Sequence, residues 1–318
     1  MRIVSLLPSA TEICFALGLG DELVGVTHEC DYPPEAREKP KVTSALSHEG
    51  LSIREIDTLV RSQLASSGNI YSLDREKLEE LRPDVILTQR LCTVCAVSLD
   101  TVREIAAGLS TKPHVESLEP RMMSEVFATF RRIADMCGKT EECASTILQM
   151  ELRYRAVGRL VQGLNKPRVA VVEWIDPPFS AGHWTPQLVE MAGGENVLGI
   201  TRRPSKEISW QDVLHERPGI LIVAACGFGI ERQKQELEII VREMGLQATT
   251  RESLGAPKLF LCDGSSYFSR PGPRLVDTAE LLGLIIHPEL EAEFGAKFKK
   301  GLDYEYIDNG STTYERYW

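Results

Sequence analysis

Five stretches of this chain carry side chains that a connecting loop does not need for folding. Thr27-His28-Glu29-Cys30-Asp31-Tyr32 and Ser47-His48-Glu49-Gly50 each set a histidine beside a glutamate. Gln89-Arg90-Leu91-Cys92-Thr93-Val94-Cys95 supplies a Cys-x-x-Cys spacing. Residues 176–184 bring Phe179, His183 and Trp184, and residues 263–274 bring Tyr267, Phe268 and Arg270. Neutral imidazole is the commonest metal ligand, so His28, His48 and His183 are candidates to ligate a metal. Cys92 and Cys95 could be half a zinc site, a redox pair or two packing thiols. No second Cys-x-x-Cys completes the four ligands that zinc normally takes, which leaves His28 and its neighbours Glu29, His48 and Glu49 as possible partners. The aromatics have Pro and Gly neighbours that should keep them exposed, and flat apolar walls suit a large planar ligand.

Patterns that would announce catalysis are missing from the sequence. It has no nucleophile elbow, Gly-rich phosphate loop or His-Glu-x-x-His helix. Gly18-Leu19-Gly20 lacks the third glycine of a dinucleotide fingerprint and follows a helix rather than a strand. Arg270 and Glu173 could do charge work in an enzyme acting on a bound cofactor, but no spacing fixes a reaction. The expectation is a protein that binds without catalysing.

The elements that must position these residues alternate between strand and helix. Strand 2–7 leads to a turn at Pro8 and then a helix, capped by Ser9 or Thr11 and ended by Gly18 and Gly20. Strand 24–27 follows; then Asp74 caps a helix through Leu81, and Pro83 stops it before strand 84–88. Helix 98–107 and strand 114–118 close a first lobe. Residues 122–137 and 140–164 read as two helices with no strand between them. The second would span about 37 Å, too long for a crossover within one lobe and suited to a rigid connector. From Pro167 the alternation resumes: strand 168–174, a helix opened by Thr185-Pro186, helix 209–217, strand 220–224, helix 230–244, strand 258–262 and helix 273–283. The expected layout is a lobe at 1–120, a helical connector at 121–166, a second lobe at 167–290 and a tail at 291–318. That tail is polar and rich in tyrosine, and its aromatics are expected to dock it.

The two lobes echo one another. Arg82-Pro83-Asp84-Val85-Ile86-Leu87 returns as Arg217-Pro218-Gly219-Ile220-Leu221-Ile222, and Gly20-Asp21-Glu22-Leu23-Val24-Gly25 as Gly194-Glu195-Asn196-Val197-Leu198-Gly199. The order of the two segments is the same in both halves. Two similar lobes imply a cleft, and clefts between domains commonly take small molecules. Loops following strand carboxyl ends would line that cleft.

Composition narrows the partners. The 318 residues hold 36 Lys plus Arg against 46 Asp plus Glu, a formal net charge of −10, which argues against nucleic acid. No apolar run is long enough to span a membrane. Eight scattered cysteines, most inside apolar runs, do not make a secreted disulfide framework. A strand that starts at the second residue, with no leader before it, leads to the expectation of a cytoplasmic location.

Several of these segments resemble a known family. Val4-Ser5-Leu6-Leu7-Pro8-Ser9-Ala10-Thr11-Glu12, Leu23-Val24-Gly25-Val26-Thr27, Asp31-Tyr32-Pro33-Pro34, Leu81 through Leu87, Pro177-Pro178-Phe179-Ser180-Ala181-Gly182, Gly193-Gly194-Glu195-Asn196 and Ser269-Arg270-Pro271-Gly272-Pro273-Arg274 are similar to segments of ABC-transporter solute-binding proteins of the vitamin B12 and iron-chelate class. The resemblance runs over about residues 2–285. It implies an α/β fold of two Rossmann-like lobes with mostly parallel sheets, joined by a long connecting helix (periplasmic-binding-protein-like, class III). It further implies that Pro8, Tyr32, Phe179 and the Tyr267-Phe268 loop contact a ligand such as cobalamin, and that an ABC-transporter permease is the partner. The absent leader, the segment near 53–73 and the Cys92/Cys95 loop look like marks of a leaderless branch, which would be periplasmic only if a leader had been trimmed. His48 stands where cobalamin binders resemble one another in having an aromatic.

Together these readings give two expectations. The first is a cobalamin or similar metal-chelate binder, with Pro8, Tyr32, His48, Phe179, His183, Trp184, Tyr267, Phe268 and Arg270 around the ligand. The second is an intracellular metal or redox protein built on Cys92, Cys95 and His28.

Overall fold

The computed structural model describes residues 1–45, 47–90, 97–244 and 256–307, with residue 67 described by its backbone alone. Two compact units divide the chain, Met1–Glu151 with Pro271–Pro273, and Leu152–Arg270 with Arg274–Trp318.

The first unit opens with β1 (Ile3–Ser5), α1 (Pro8–Ala16) and β2 (Leu23–Val26). Pro8 takes the first turn of α1, where its missing N–H costs nothing. The N-cap is therefore Leu7, and the expected caps Ser9 and Thr11 lie buried inside the helix. Next come β3 (Thr43–Ala45), α2 (Ile53–Ser67), β4 (Tyr71–Leu73), α3 (Arg75–Leu81), β5 (Val85–Thr88), α4 (Leu99–Ala107), β6 (His114–Ser117) and α5 (Met123–Met136). The segment near 53–73 is thus an α-helix started by a Ser52–Glu55 capping box, and then a strand that pairs back on β3. Asp74 caps α3 through the Lys77 N–H, as expected, a bond worth about 1 kcal/mol. Strands β2-β1-β5-β6 form one sheet, all parallel. Val4, Leu6, Val42, Leu78, Ile86 and Val102 fill the core beside it. Buried Glu116 on β6 meets Arg132 of α5 at 2.6 Å, so its charge is compensated.

Helix α6 (Thr140–Leu160) carries the chain from one unit to the other, and the division falls inside it, between Glu151 and Leu152. It ends four residues short of the expected 164.

The second unit contains β7 (Arg168–Ile175), β8 (Pro178–Ser180), α7 (Thr185–Met191), β9 (Glu195–Asn196), β10 (Lys206–Glu207), α8 (Trp210–His215), β11 (Ile220–Val223), α9 (Ile230–Lys234), α10 (Leu237–Glu243) and β12 (Lys258–Cys262). The long helix Arg274–Ile286 follows, and β13 (Tyr304–Ile307) comes last. The sheet runs β10-β8-β7-β11-β12-β13, with β9 also on β7. Strands β9, β7, β11 and β12 are mutually parallel; β8 and β13 run against them, and β10, antiparallel to β8, runs with them. The central strand β11 is buried at every residue, as a strand covered on both faces must be. Arg153 of α6 grips the long helix through Asp277 at 2.6 Å and Glu280 at 2.9–3.0 Å, with Lys297 on the same carboxylates.

Three expectations change here. The single helix 230–244 is two: α9 ends at Lys234, the Glu236 N–H bonds the Gln233 carbonyl only three residues back, and the buried Gln233 side chain ties α9 to the backbone of Ala225, Phe228 and Cys262. The stretch after strand 168–174 is a hairpin, not a loop. Residues 304–307, assigned to the tail by the sequence, pair with β12, and Tyr306 packs on Phe260 at 5.2 Å.

The echo between halves is real at the backbone. Arg82 and Arg217 adopt nearly the same left-handed conformation, φ 46° and 47°, each ahead of its Pro and strand. α1 and α7 both run out into a left-handed glycine, Gly18 at φ 73° and Gly193 at φ 82°, where a side chain would be strained.

Candidate functional site

In an open parallel sheet the residues past the strand carboxyl ends are those free to meet a ligand. In the second unit these segments are knitted together. The Cys226 N–H after β11 donates to the Glu173 carbonyl of β7 at 2.9 Å, and the Gly264 N–H after β12 donates to the Phe228 carbonyl at 3.0 Å. Trp174, near the end of β7, stacks on Phe228 at 5.4 Å, and the Arg232 guanidinium lies 5.0 Å from the same ring. Such a stack is worth about 1 kcal/mol beyond its buried area. The sequence reading named neither Trp174 nor Phe228, although an aromatic at the end of one β-rich run and another five residues past a second were the available signal.

The hairpin β7–β8 sets Phe179. Its turn contains a cis Asp176–Pro177 bond, and Phe179 pairs with Trp174 on one side and Glu207 of β10 on the other. Phe179 is half-buried, so part of its ring is available. Beyond it, Gly182 lies so close to residues 203–205 that an added Cβ would stand 2.5 Å from the Ser205 nitrogen. His183 takes a left-handed φ of 53° and Arg202 one of 70°. The two are bridged, His183 N–H to the Arg203 carbonyl at 2.7 Å and Arg202 N–H to the His183 carbonyl at 2.9 Å. Beneath them the Glu173 carboxylate accepts from the Gly182 N–H at 3.3 Å and from the Ser205 hydroxyl. Burial pushes the pKa of Glu173 up, and these two hydrogen bonds pull it partly back.

Other predicted residues sit deeper than expected. Trp184 is 5% exposed and Phe268 4%. The indole N–H of Trp184 donates to the Phe268 carbonyl at 2.8 Å. The expectation that their Pro and Gly neighbours keep them exposed is corrected: tertiary packing buries both. Arg270 is also buried, with its guanidinium 3.2 Å from the Ser265 hydroxyl. Tyr267 is half-buried. Its hydroxyl donates to Asp303 at 2.9 Å and its ring meets Phe298 edge-on at 5.9 Å, so burial first and then Asp303 raise its pKa. It fastens the segment before β13.

In the first unit, Pro8, His28 and Tyr32 follow β1 and β2. Tyr32 is 47% exposed and precedes a cis proline. His28 is tied down: its Nδ1 lies 2.7 Å from the Thr43 hydroxyl, which is itself 2.7 Å from Thr27, and its ring is 5.5 Å from Tyr71. The Glu29 carboxylate is 3.2 Å from Nε2 but is not aligned to accept a hydrogen bond. His48 is exposed after β3. Cys92 and Cys95 lie outside the described residues. Among the described residues no three His, Cys, Asp or Glu side chains gather as a metal site. Burial raises the thiols of Cys14 and Cys262 well above their usual range, which leaves them unreactive. No helix among the described residues is long and apolar enough to cross a membrane.

Comparison with known proteins adds the following. The model of the periplasmic binding protein family matches residues 3–250. The vitamin B12-binding protein of Vibrio cholerae serotype O1 is 28% identical over 282 residues, 88% of this chain and 86% of that one. That of Pectobacterium carotovorum is 24% identical over 286 residues, with the same coverage. Among solved structures, the periplasmic vitamin B12-binding protein of Vibrio cholerae superposes with a TM-score of 0.63 at 19% identity, over 90% of this chain and 96% of that one. The periplasmic heme-binding protein of Roseiflexus sp. RS-1 gives 0.64 at 22%, over 91% and 98%. At such identities the structures speak to the fold, which is the expected two-lobed, class III architecture. The expectation of a cytoplasmic location finds no support among these periplasmic proteins.

Proposed function

This chain belongs to the periplasmic binding protein family and binds solute rather than transforming it; from that premise we propose that its ligand is cobalamin or another large metal chelate. The observation that carries this reading is the half-exposed Phe179 on β8, paired with Trp174 near the carboxyl end of β7 and so beside the Trp174–Phe228 stack. Aromatic faces held on a rigid sheet suit a broad, flat macrocycle. Relatives named for vitamin B12 cover 88% of the chain, which supports the same ligand class. Tyr32, Pro8 and His48 are the contacts we assign to the first unit, and Phe179 and His183 those of the second. An ABC-transporter permease is the partner, and a periplasmic location goes with it.

Calorimetry with hydroxocobalamin and with hemin, followed in parallel by visible spectroscopy, tests the reading. One-to-one binding with Kd of about 1 μM or tighter is expected for at least one of them. Phe179→Ala should weaken it roughly tenfold, as loss of a partly buried aromatic anchor does. A spectral shift abolished by His48→Ala or His183→Ala would identify an axial ligand. No heat and no shift with either compound would end the proposal.

A further inference from the structure

After β2 the chain of the first unit makes an excursion and comes back at Lys41, which bridges to Val26 in parallel register. The excursion has little of its own to hold it. Its only regular structure is the 3-10 turn Pro34–Glu38, and among residues 29–38 just Cys30 and Ala36 are buried. Segments with so few buried contacts open easily unless something else ties them.

Basic side chains supply the ties. The Lys41 ammonium donates to the Cys30 carbonyl at 3.1 Å and to the Ala36 carbonyl at 2.8 Å. The Arg37 guanidinium donates to the Asp31 carbonyl at 3.0 Å, and Lys39 reaches back to the Gly20 carbonyl at 2.7 Å. The Cys30 thiol meets the Thr11 hydroxyl of α1 at 3.0 Å. Hydrogen bonds from a charged donor are roughly twice as strong as neutral ones. Cys30 and Asp31 are therefore gripped just before Tyr32, and Ala36 just after it. The exposed ring of Tyr32 stands between two clamped points.

We propose that Lys41, assisted by Arg37, is a positioning residue for ligand binding, fixing the backbone on both sides of Tyr32 so that its ring is presented before the ligand arrives. The proposal rests on the chelate-binding reading above, in which Tyr32 is a contact, and deepens it. Lys41 acts through Tyr32 and not on the ligand, since its ammonium is turned to the carbonyls of its own loop. An aromatic on an untied loop would have to be ordered at the moment of binding, and that cost is subtracted from affinity.

The test is a double-mutant cycle on the affinity for hydroxocobalamin or hemin, whichever the wild type binds. Lys41→Met keeps the side chain's length and removes its charge and donors; it should raise Kd roughly fivefold to tenfold, the effect of lost preorganisation. In a Tyr32→Ala background the same substitution should change Kd by less than about twofold, because coupled residues are not additive. Lys41→Arg, which retains donors and charge, should recover most of the affinity. Trypsin should cleave Lys41→Met faster than wild type after the exposed Arg37, with cleavage elsewhere unchanged. If Lys41→Met folds poorly, Arg37→Gln at its exposed site runs the same cycle, with an expected rise of about twofold to threefold that vanishes without Tyr32. A Lys41→Met effect of equal size with and without Tyr32, or a Kd within twofold of wild type, overturns the proposal. Tyr32→Ala without effect also overturns it, yet leaves the chelate reading standing. Binding of neither compound by the wild type removes that reading and the proposal together.

Discussion

The two sheets are built alike where they are central and differ at one edge. Each has four parallel strands in the same order, β2-β1-β5-β6 in the first unit and β9-β7-β11-β12 in the second. In the first unit, β2 runs beside β1 from its start. In the second, β9 pairs only with Arg168 and Val169, and β8 takes over the same edge from Val172 onward. The exchange brings a hairpin, a third strand and the turn that bridges His183 to Arg202 and Arg203 to the carboxyl end of β7. The repeated part is core; the departure from the repeat carries Phe179 and His183, the contacts we assign to the ligand in this unit.

Glycine substitution should separate the two regions most strongly. An added Cβ at Gly182 meets backbone of residues 203–205, with contacts at 2.5–2.7 Å, and backbone cannot rotate away. Gly182→Ala should cost about 3 kcal/mol, read as a fall in Tm and in the denaturant midpoint. At Gly25 on β2 the nearest contacts are side-chain tips, Leu81 at 2.7 Å and Val42 at 3.0 Å, which can shift. Gly25→Ala should cost about 1 kcal/mol. Equal losses would mean that the added edge is no more tightly fitted than the core.

Glu173 gives a smaller effect with a defined sign. Its folded pKa is raised, so the folded state holds the proton more tightly than the unfolded one. Stability from this group is fully present below the ordinary glutamate pKa and is lost as pH rises through the elevated folded value. Glu173→Gln should remove that decline, so urea midpoints of variant and wild type should diverge as pH is raised from about 4.5, with the variant above. A constant gap across pH would show that the carboxyl titrates normally.

The smallest effect tests the repeat itself. Arg82→Gly and Arg217→Gly each relieve a left-handed residue but loosen the unfolded chain, for a net change of about 0–1 kcal/mol. The two should agree within about 0.5 kcal/mol if the echo is structural. A larger difference in chemical unfolding would break it.

Much of this frame could be read from the chain because its causes are local. Asp74 caps, Pro83 and Pro218 stop helices, and runs such as Ile220-Leu221-Ile222-Val223 form buried strands wherever they are placed. The site was less legible. Pro178 looks like punctuation, yet it opens an antiparallel strand, a position a proline tolerates. Trp184 and Phe268 read as exposed because their neighbours are turn formers, and only the packing of distant segments buries them. The strain at His183 and Arg202 leaves no trace in composition, since it follows from the approach of residues 203–205 to Gly182.

Strand β13 has a further consequence. Where it lies along β12, it satisfies a row of backbone groups that would otherwise face outward, through Leu259–Ile307, Phe260–Tyr306, Leu261–Glu305 and Cys262–Tyr304. A bare strand of that composition is a template for pairing with another molecule. The chain's last described strand therefore moves the sheet's edge from the apolar β12 to a strand that carries Glu305, and losing it would show first as concentration-dependent aggregation rather than as weaker ligand binding.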